Sequence, residues 1–170
     1  MPTGLKQTSS VVSIGFSVDE TAANTFTQAA TDLNLSPLDQ EVFVVLAINM
    51  DPFYPDAISN VDTAVAASLT TTSQTSVRNL SSPNCLAAAT NAIKALALDN
   101  GGGVGFQTTL ETPPANLDYI GIIATNDFFV QVEGTGNTSI RGMDGKLYGY
   151  RARADAAIYA ALVQSEALSA

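Results

Sequence analysis

The chain has 170 residues, enough for one domain with a proper core, and its apolar fraction of 46% is ordinary while its charged fraction of 14% is low. A net charge of −9 argues against a general nucleic-acid or anionic-membrane binder, because both need Lys and Arg to displace counterions or meet headgroups. The absence of histidine removes imidazole bases, His-based triads and most zinc or iron sites together.

Thr, Ser, Asn and Gln number 18, 14, 11 and 7 against 23 charged residues, so the polar exterior is expected to be weakly ionic. Such side chains lose less hydration and less entropy than Lys or Glu when a partner covers them, which suits burial between subunits. No apolar run approaches a membrane span; the longest are Val42 to Ile48 and Ala156 to Val163. One cysteine, Cys85, permits no internal disulfide, and the start Met-Pro-Thr-Gly-Leu-Lys lacks the basic-then-apolar order of a signal peptide, so synthesis in the cytoplasm is expected.

Residues 1–10 read as a Thr/Ser-rich arm carrying Leu5, of the kind that packs on a neighbour, ahead of a single domain over 11–170. Val11 to Val18 is short, β-branched and aromatic and predicts a strand. Residues 19–35 read two ways: Ala22, Phe26, Ala29 and Leu33 would share a helix face, but Thr25, Thr27 and Thr31 disfavour helix and tilt the reading to strand. Glu41 to Asn49, apolar on both faces, predicts a central strand. Asp51-Pro-Phe-Tyr-Pro55 predicts a loop whose aromatics Phe53 and Tyr54 need a place to bury. A strand is expected within Thr63 to Val77, its Thr-rich half facing solvent or another subunit.

Ser82-Pro83 has the form of a helix start, Leu86, Ala89, Ile93 and Leu96 fall on one helical face, and Asn100-Gly101 supplies a stop, so a helix is predicted over about 83–99 with Cys85 on its first turn. The glycine run 101–105 leads to a strand near Val104 to Leu110; neither a phosphate loop nor a dinucleotide fingerprint can be completed there. Tyr119 to Thr125 and Phe128 to Glu133, joined by Asn126-Asp127, predict a β-hairpin. After a Gly-rich loop, Lys146 to Asp155 alternates as a strand, and Asp155 to Leu168 predicts a short Ala-rich helix with apolar residues on two sides. The fold class expected is mainly β: an antiparallel β-sandwich or jelly roll with one internal helix and a short C-terminal helix.

No catalytic, cofactor-binding or metal-binding residue emerges. The carboxylates Asp51, Asp56 and Asp144, the last near Asn137, form no series of oxygen ligands and read as solvated. Arg141, Lys146, Arg151 and Arg153 hold four of the seven positive charges and could pair with acidic groups on a neighbour or meet phosphate non-specifically. The candidate residues are therefore interface residues: Leu5, Phe53, Tyr54, Arg141, Lys146, Arg151, Arg153, Tyr159 and Leu162.

The segments Tyr119-Ile-Gly-Ile-Ile-Ala-Thr-Asn-Asp-Phe-Phe and Tyr150-Arg-Ala-Arg-Ala-Asp-Ala-Ala-Ile-Tyr-Ala-Ala-Leu-Val-Gln-Ser-Glu, within the overall strand pattern, resemble small β-sandwich or jelly-roll structural proteins of prokaryotic viruses. The resemblance implies a non-enzymatic capsid subunit, many copies of which assemble in a virion, with other virion proteins as further partners. It leaves a tail-tube or decoration protein, a carbohydrate-binding or other ligand-binding sandwich, and a cellular filament or compartment subunit as alternatives.

Overall fold

The computed structural model describes residues 2–95, 104–109 and 117–169. Among them the chain is mainly β, with ten strands in two antiparallel sheets and one C-terminal helix. The strands are β1 Leu5–Gln7, β2 Val12–Asp19, β3 Thr27–Asp32, β4 Glu41–Pro52, β5 Thr63–Thr70, β6 Cys85–Ala95, β7 Val104–Thr108, β8 Gly121–Ile123, β9 Asp127–Thr135 and β10 Gly142–Ala154. The helix α1 spans Ala156–Leu168.

In the first sheet β10 is central: β4 lies along one edge, with β8 beyond it, while β2 and then β1 share the other edge. The second sheet runs β3-β9-β5-β6-β7. Four pairings nest inside one another along the chain: β2 with β10, β3 with β9, β4 with β8, and β5 with β6. Two further ladders, β10 with β4 and β9 with β5, close the nest sideways. The chain is thus a long antiparallel ribbon whose successive pairs fall alternately in one sheet and the other.

Alternation explains which residues meet between the sheets. Side chains two apart share a face, so Phe43 and Val45 of β4 point inward toward Val65, Ala67 and Leu69 of β5 and Phe128, Val130 and Val132 of β9. An extra residue at Leu46, where the β4–β10 register shifts, resets the parity, and Ile48 faces inward after it. Without that bulge, half of a twelve-residue strand would turn its apolar side outward. Phe16 and Phe128 meet edge to face across the gap, ring centroids 5.7 Å apart. Full burial of each such side chain contributes about 1.5–3 kcal/mol.

Two inward glycines of β10 make room for these rings. A Cβ at Gly145 would lie 2.4 Å from the Phe16 ring, and one at Gly149 would lie 2.3 Å from the Val44 carbonyl oxygen and 2.4 Å from the Phe43 ring. A second apolar cluster sits on the outer face of the first sheet, where Val42, Val44, Tyr150 and Ala152 are covered by Ile158, Tyr159, Leu162 and Val163 of α1.

Several strands match the sequence reading closely, including those at 12–19, 41–52, 63–70 and 104–108, and α1. Residues 27–32 are strand, as the threonines argued. The internal helix about 83–99 is overturned: Cys85–Ala95 is a strand paired on both edges, and residues 96–99 lie outside the described region. Helix propensity differs between ordinary residues by less than about 0.7 kcal/mol each, and two hydrogen-bonded ladders outweigh it. The alternating set Ala87, Ala89 and Asn91, which faces Leu69, Ala67 and Val65, was present beneath the helical periodicity.

The hairpin at 119–133 is also overturned. β8 pairs with β4 in the first sheet and β9 enters the second, so the two flank a corner. Remote groups hold that corner: the Glu166 carboxylate accepts the N–H groups of Ala124 at 2.8 Å and Thr125 at 3.0 Å, and Asn126 accepts those of Leu33 and Leu35, each at 2.7 Å. Of the Thr-rich half of the 63–77 segment, Ser73, Thr75 and Ser76 face outward as expected, while Thr70, Thr71 and Gln74 are buried. The strand stops at Thr70, Thr71 is buried, and residues 71–84 fold over the outer face of their own sheet. There they cover the cross-strand row Gln28, Gln131 and Ser68, in which Ser68 donates to Gln131 Oε1 at 2.7 Å and Gln131 donates to Gln28 Oε1 at 3.0 Å. The 51–55 loop begins later than its prolines suggested, since Asp51 and Pro52 still belong to β4.

A Gly149→Ala substitution should destabilise the protein by about 1–3 kcal/mol through overpacking against backbone, whereas Gly15→Ala, with nothing within 4 Å of its Cβ, should change stability by less than about 0.5 kcal/mol. Urea unfolding of the two variants with unchanged slope tests the contrast, and equal midpoints would contradict it.

Burial holds the Glu166 carboxyl above the usual carboxylate range, offset in part by the N–H groups it accepts. A raised folded-state value means that the folded protein binds this proton more tightly than the unfolded chain. The resulting stability is fully present below the ordinary glutamate range and is lost as pH rises through the folded value. The melting temperature of the native protein relative to Glu166→Gln should therefore fall as pH is raised from about 4 to about 8. A difference independent of pH would refute the assignment.

Candidate interaction surface

The most exposed aromatic group lies where the 53–62 loop leaves β4. A buried polar cluster fixes this loop. Glu20, 3% exposed, accepts the N–H groups of Thr25 at 3.0 Å, Gly134 at 2.6 Å and Arg141 at 2.9 Å. Asn24, in the left-handed region at φ 58°, exchanges two 2.8 Å hydrogen bonds with the backbone of Asn137. Asn137 Oδ1 in turn accepts the Asp56 N–H at 2.8 Å, and the Asp56 carboxylate accepts the N–H groups of Thr138 and Ser139 while pairing with Arg141. Three loops distant in sequence are therefore one rigid support.

From that support Phe53 and Tyr54 project. Asn91 of β6 orients the strand end behind them: its Nδ2 donates to the Pro52 carbonyl at 2.6 Å, and its Oδ1 accepts from the Thr108 hydroxyl at 2.6 Å. One buried amide thus joins the loop to the edge strand β7. Tyr54, 72% exposed, stands beside Phe106 of β7, 52% exposed, with ring centroids 5.8 Å apart and planes tilted by 40°. Phe53 is 40% exposed, and all five residues of β7 are exposed and uncharged.

The other candidate residues are dispersed. Leu5, Tyr159 and Leu162 share the cluster beneath α1: Leu5 is buried where β1 pairs with Ala154, so the arm is a strand of its own sheet, and the two helix residues rest against that same sheet. The basic residues do not form a patch. Arg141 is held by Asp56 and by Ser139 Oγ. Arg151 reaches from the first sheet to donate to the Leu33 carbonyl at 2.9 Å, at one end of an apolar cleft of about 430 Å³ lined also by Val12, Ile14 and Phe43. Lys146 and Arg153 are exposed, at opposite parity along β10. Arg141 precedes β10, and alternation sets Lys146 on the face opposite Arg151 and Arg153, so sequence proximity does not make these residues a group.

Asp51 and Asp144 are register partners on β4 and β10 and are solvent-exposed; among the described residues no group of three or more His, Cys, Asp or Glu could hold a metal ion. Cys85 begins β6, half-buried, and its thiol lies 3.2 Å from the Ala87 carbonyl oxygen. No described helix is long and apolar enough to cross a membrane. No family model, curated protein or solved structure matches the chain.

Sequence reasoning singled out Phe53 and Tyr54 but missed Phe106 and Asn91. The available signal was the uncharged run Val-Gly-Phe-Gln-Thr at 104–108, which lacks the Lys or Pro that usually guards an edge strand. Asn91→Ala should cost about 1–3 kcal/mol by leaving the Pro52 carbonyl unpaired, and should loosen β7 from the loop. Hydrogen exchange of residues 104–109 would report this as faster exchange than in the native protein, with β9 unchanged; unaltered β7 exchange would exclude the coupling.

Proposed function

We propose that this chain is a jelly-roll coat subunit of a virus particle, a non-catalytic protein that acts by packing against many copies of itself. The strand order is the observation that carries the reading. Numbering β2, β3, β4, β5, β6, β8, β9 and β10 as first to eighth, one sheet runs first, eighth, third, sixth and the other second, seventh, fourth, fifth. That is the order of an eight-stranded jelly roll, formed when a long ribbon rolls into two Greek keys, an architecture found among viral capsid and lectin domains. β1 and β7 are additions at its margins.

The scarcity of charge supports assembly over independent life in solution, since 14% charged residues leave much surface that a neighbour can cover at low desolvation cost. The lack of histidine supports a role without acid-base catalysis. Under this reading the protein resides in the virion after synthesis in the host cytoplasm. Nucleic-acid contact is at most non-specific, because only Lys146 and Arg153 of the basic tail group stand exposed.

A ligand-binding reading draws on the exposed Tyr54–Phe106 pair, the kind of aromatic surface that sugar rings stack on. The purified protein should form particles or large oligomers, seen by light scattering and electron microscopy over a range of salt and concentration. A monomer under every condition would sink the coat reading, and glycan binding by that monomer would put the lectin-like reading in its place.

A further inference from the structure

The geometry points to β7 as a self-pairing edge: two copies of the chain join their second sheets by antiparallel pairing of Val104–Thr108 about a twofold axis at Phe106. This deepens the coat reading by naming one of its contacts, and rests on that reading for its setting.

Thr109 donates its N–H to the Thr90 carbonyl at 3.0 Å, across the ladder that β7 forms with β6. Backbone groups alternate sides along a strand, so Gly105 and Gln107 also turn theirs toward β6, while Val104, Phe106 and Thr108 turn N–H and C=O outward. Among the described residues nothing pairs with that outer side. What satisfies a row of outward N–H and C=O groups is another strand.

The same edge on a second copy fits, because an antiparallel pair has its own twofold symmetry and a single strand is then complementary to itself. With the axis at Phe106, the Phe106 residues of the two copies face each other at about 5.5 Å between Cα atoms, and Val104 faces Thr108. The pairing supplies up to about six backbone hydrogen bonds. It also gathers both Phe106 rings with both Tyr54 rings, removing the most exposed aromatic group from water. No strand residue carries a charge to repel its copy, and the nearest cation on β6, Lys94, is already paired with Asp62 at 2.7 Å. A five-residue contact is small against the ~1,200 Å² of a stable isolated interface, so the pairing is weak in dilute solution and gains strength within a shell through many simultaneous contacts.

Disulfide trapping tests the register. In a Cys85→Ala background, Gly105→Cys and Gln107→Cys are made as separate full-length proteins; a Cβ at Gly105 meets only Lys94 Cβ at 3.9 Å, so the thiol can be accommodated. Mixed under mild oxidation, the two should give a heterodimer, while neither should crosslink efficiently alone. Val104→Pro removes an outward N–H without touching the ladder to β6, so it should leave thermal unfolding near native while weakening association about tenfold. Particles of normal form without the mixed disulfide would overturn the edge pairing and leave the coat reading standing. The mixed disulfide in a protein that never forms particles would uphold the pairing and remove the coat reading. An undiminished association of a folded Val104→Pro protein would also overturn the pairing.

Discussion

β10 hydrogen-bonds on both of its edges, to β4 along one and to β2 and β1 along the other. This places residues from the start, the first third and the end of the chain in one sheet, with high sequence separation between partners. The arrangement requires space at two inward positions, because Phe16 and Phe43 lie across the strand where Gly145 and Gly149 have no side chain. The aromatic core, the closure of the ribbon and the docking of α1 on the outer face all follow from that one strand.

The uncharged polar residues have a different place from the one composition suggests. A sizeable share lies inside: the Gln28–Gln131–Ser68 row under residues 71–84, the Asn24–Asn137 exchange, and Asn91 between Pro52 and Thr108. Buried amides and hydroxyls must find partners, and here they find one another and backbone from segments remote in sequence. They act as fasteners between segments that carry few apolar side chains. The low-charge surface remains, but the polar excess is shared between the surface and the interior.

The candidate surface depends on these fasteners. Glu20, Asp56 and Asn137 immobilise the loop that carries Phe53 and Tyr54, and Asn91 brings β7 alongside. The result is an exposed aromatic pair on a hydrogen-bonded base, next to a strand edge with no charge. The residues that sequence proximity nominated at the two termini lie elsewhere: Leu5, Tyr159 and Leu162 bury surface within the subunit, and Arg141 and Arg151 tie its loops and sheets together.

By itself, the sequence determined the strand content, most strand positions, the C-terminal helix and the absence of imidazole chemistry, because these follow from alternation, local propensity and residue type. Only the tertiary structure decided that Cys85–Ala95 is a strand, since its alanines suit either state and the ladders to β5 and β7 are remote or later in the chain. It alone decided that Asn126 marks a corner and not a hairpin tip, because the groups that hold the corner come from Leu33, Leu35 and Glu166. The meeting of Tyr54 with Phe106 has the same cause: side chains 52 positions apart are brought together by the sheet order and by one buried asparagine, neither of which is written in any local pattern.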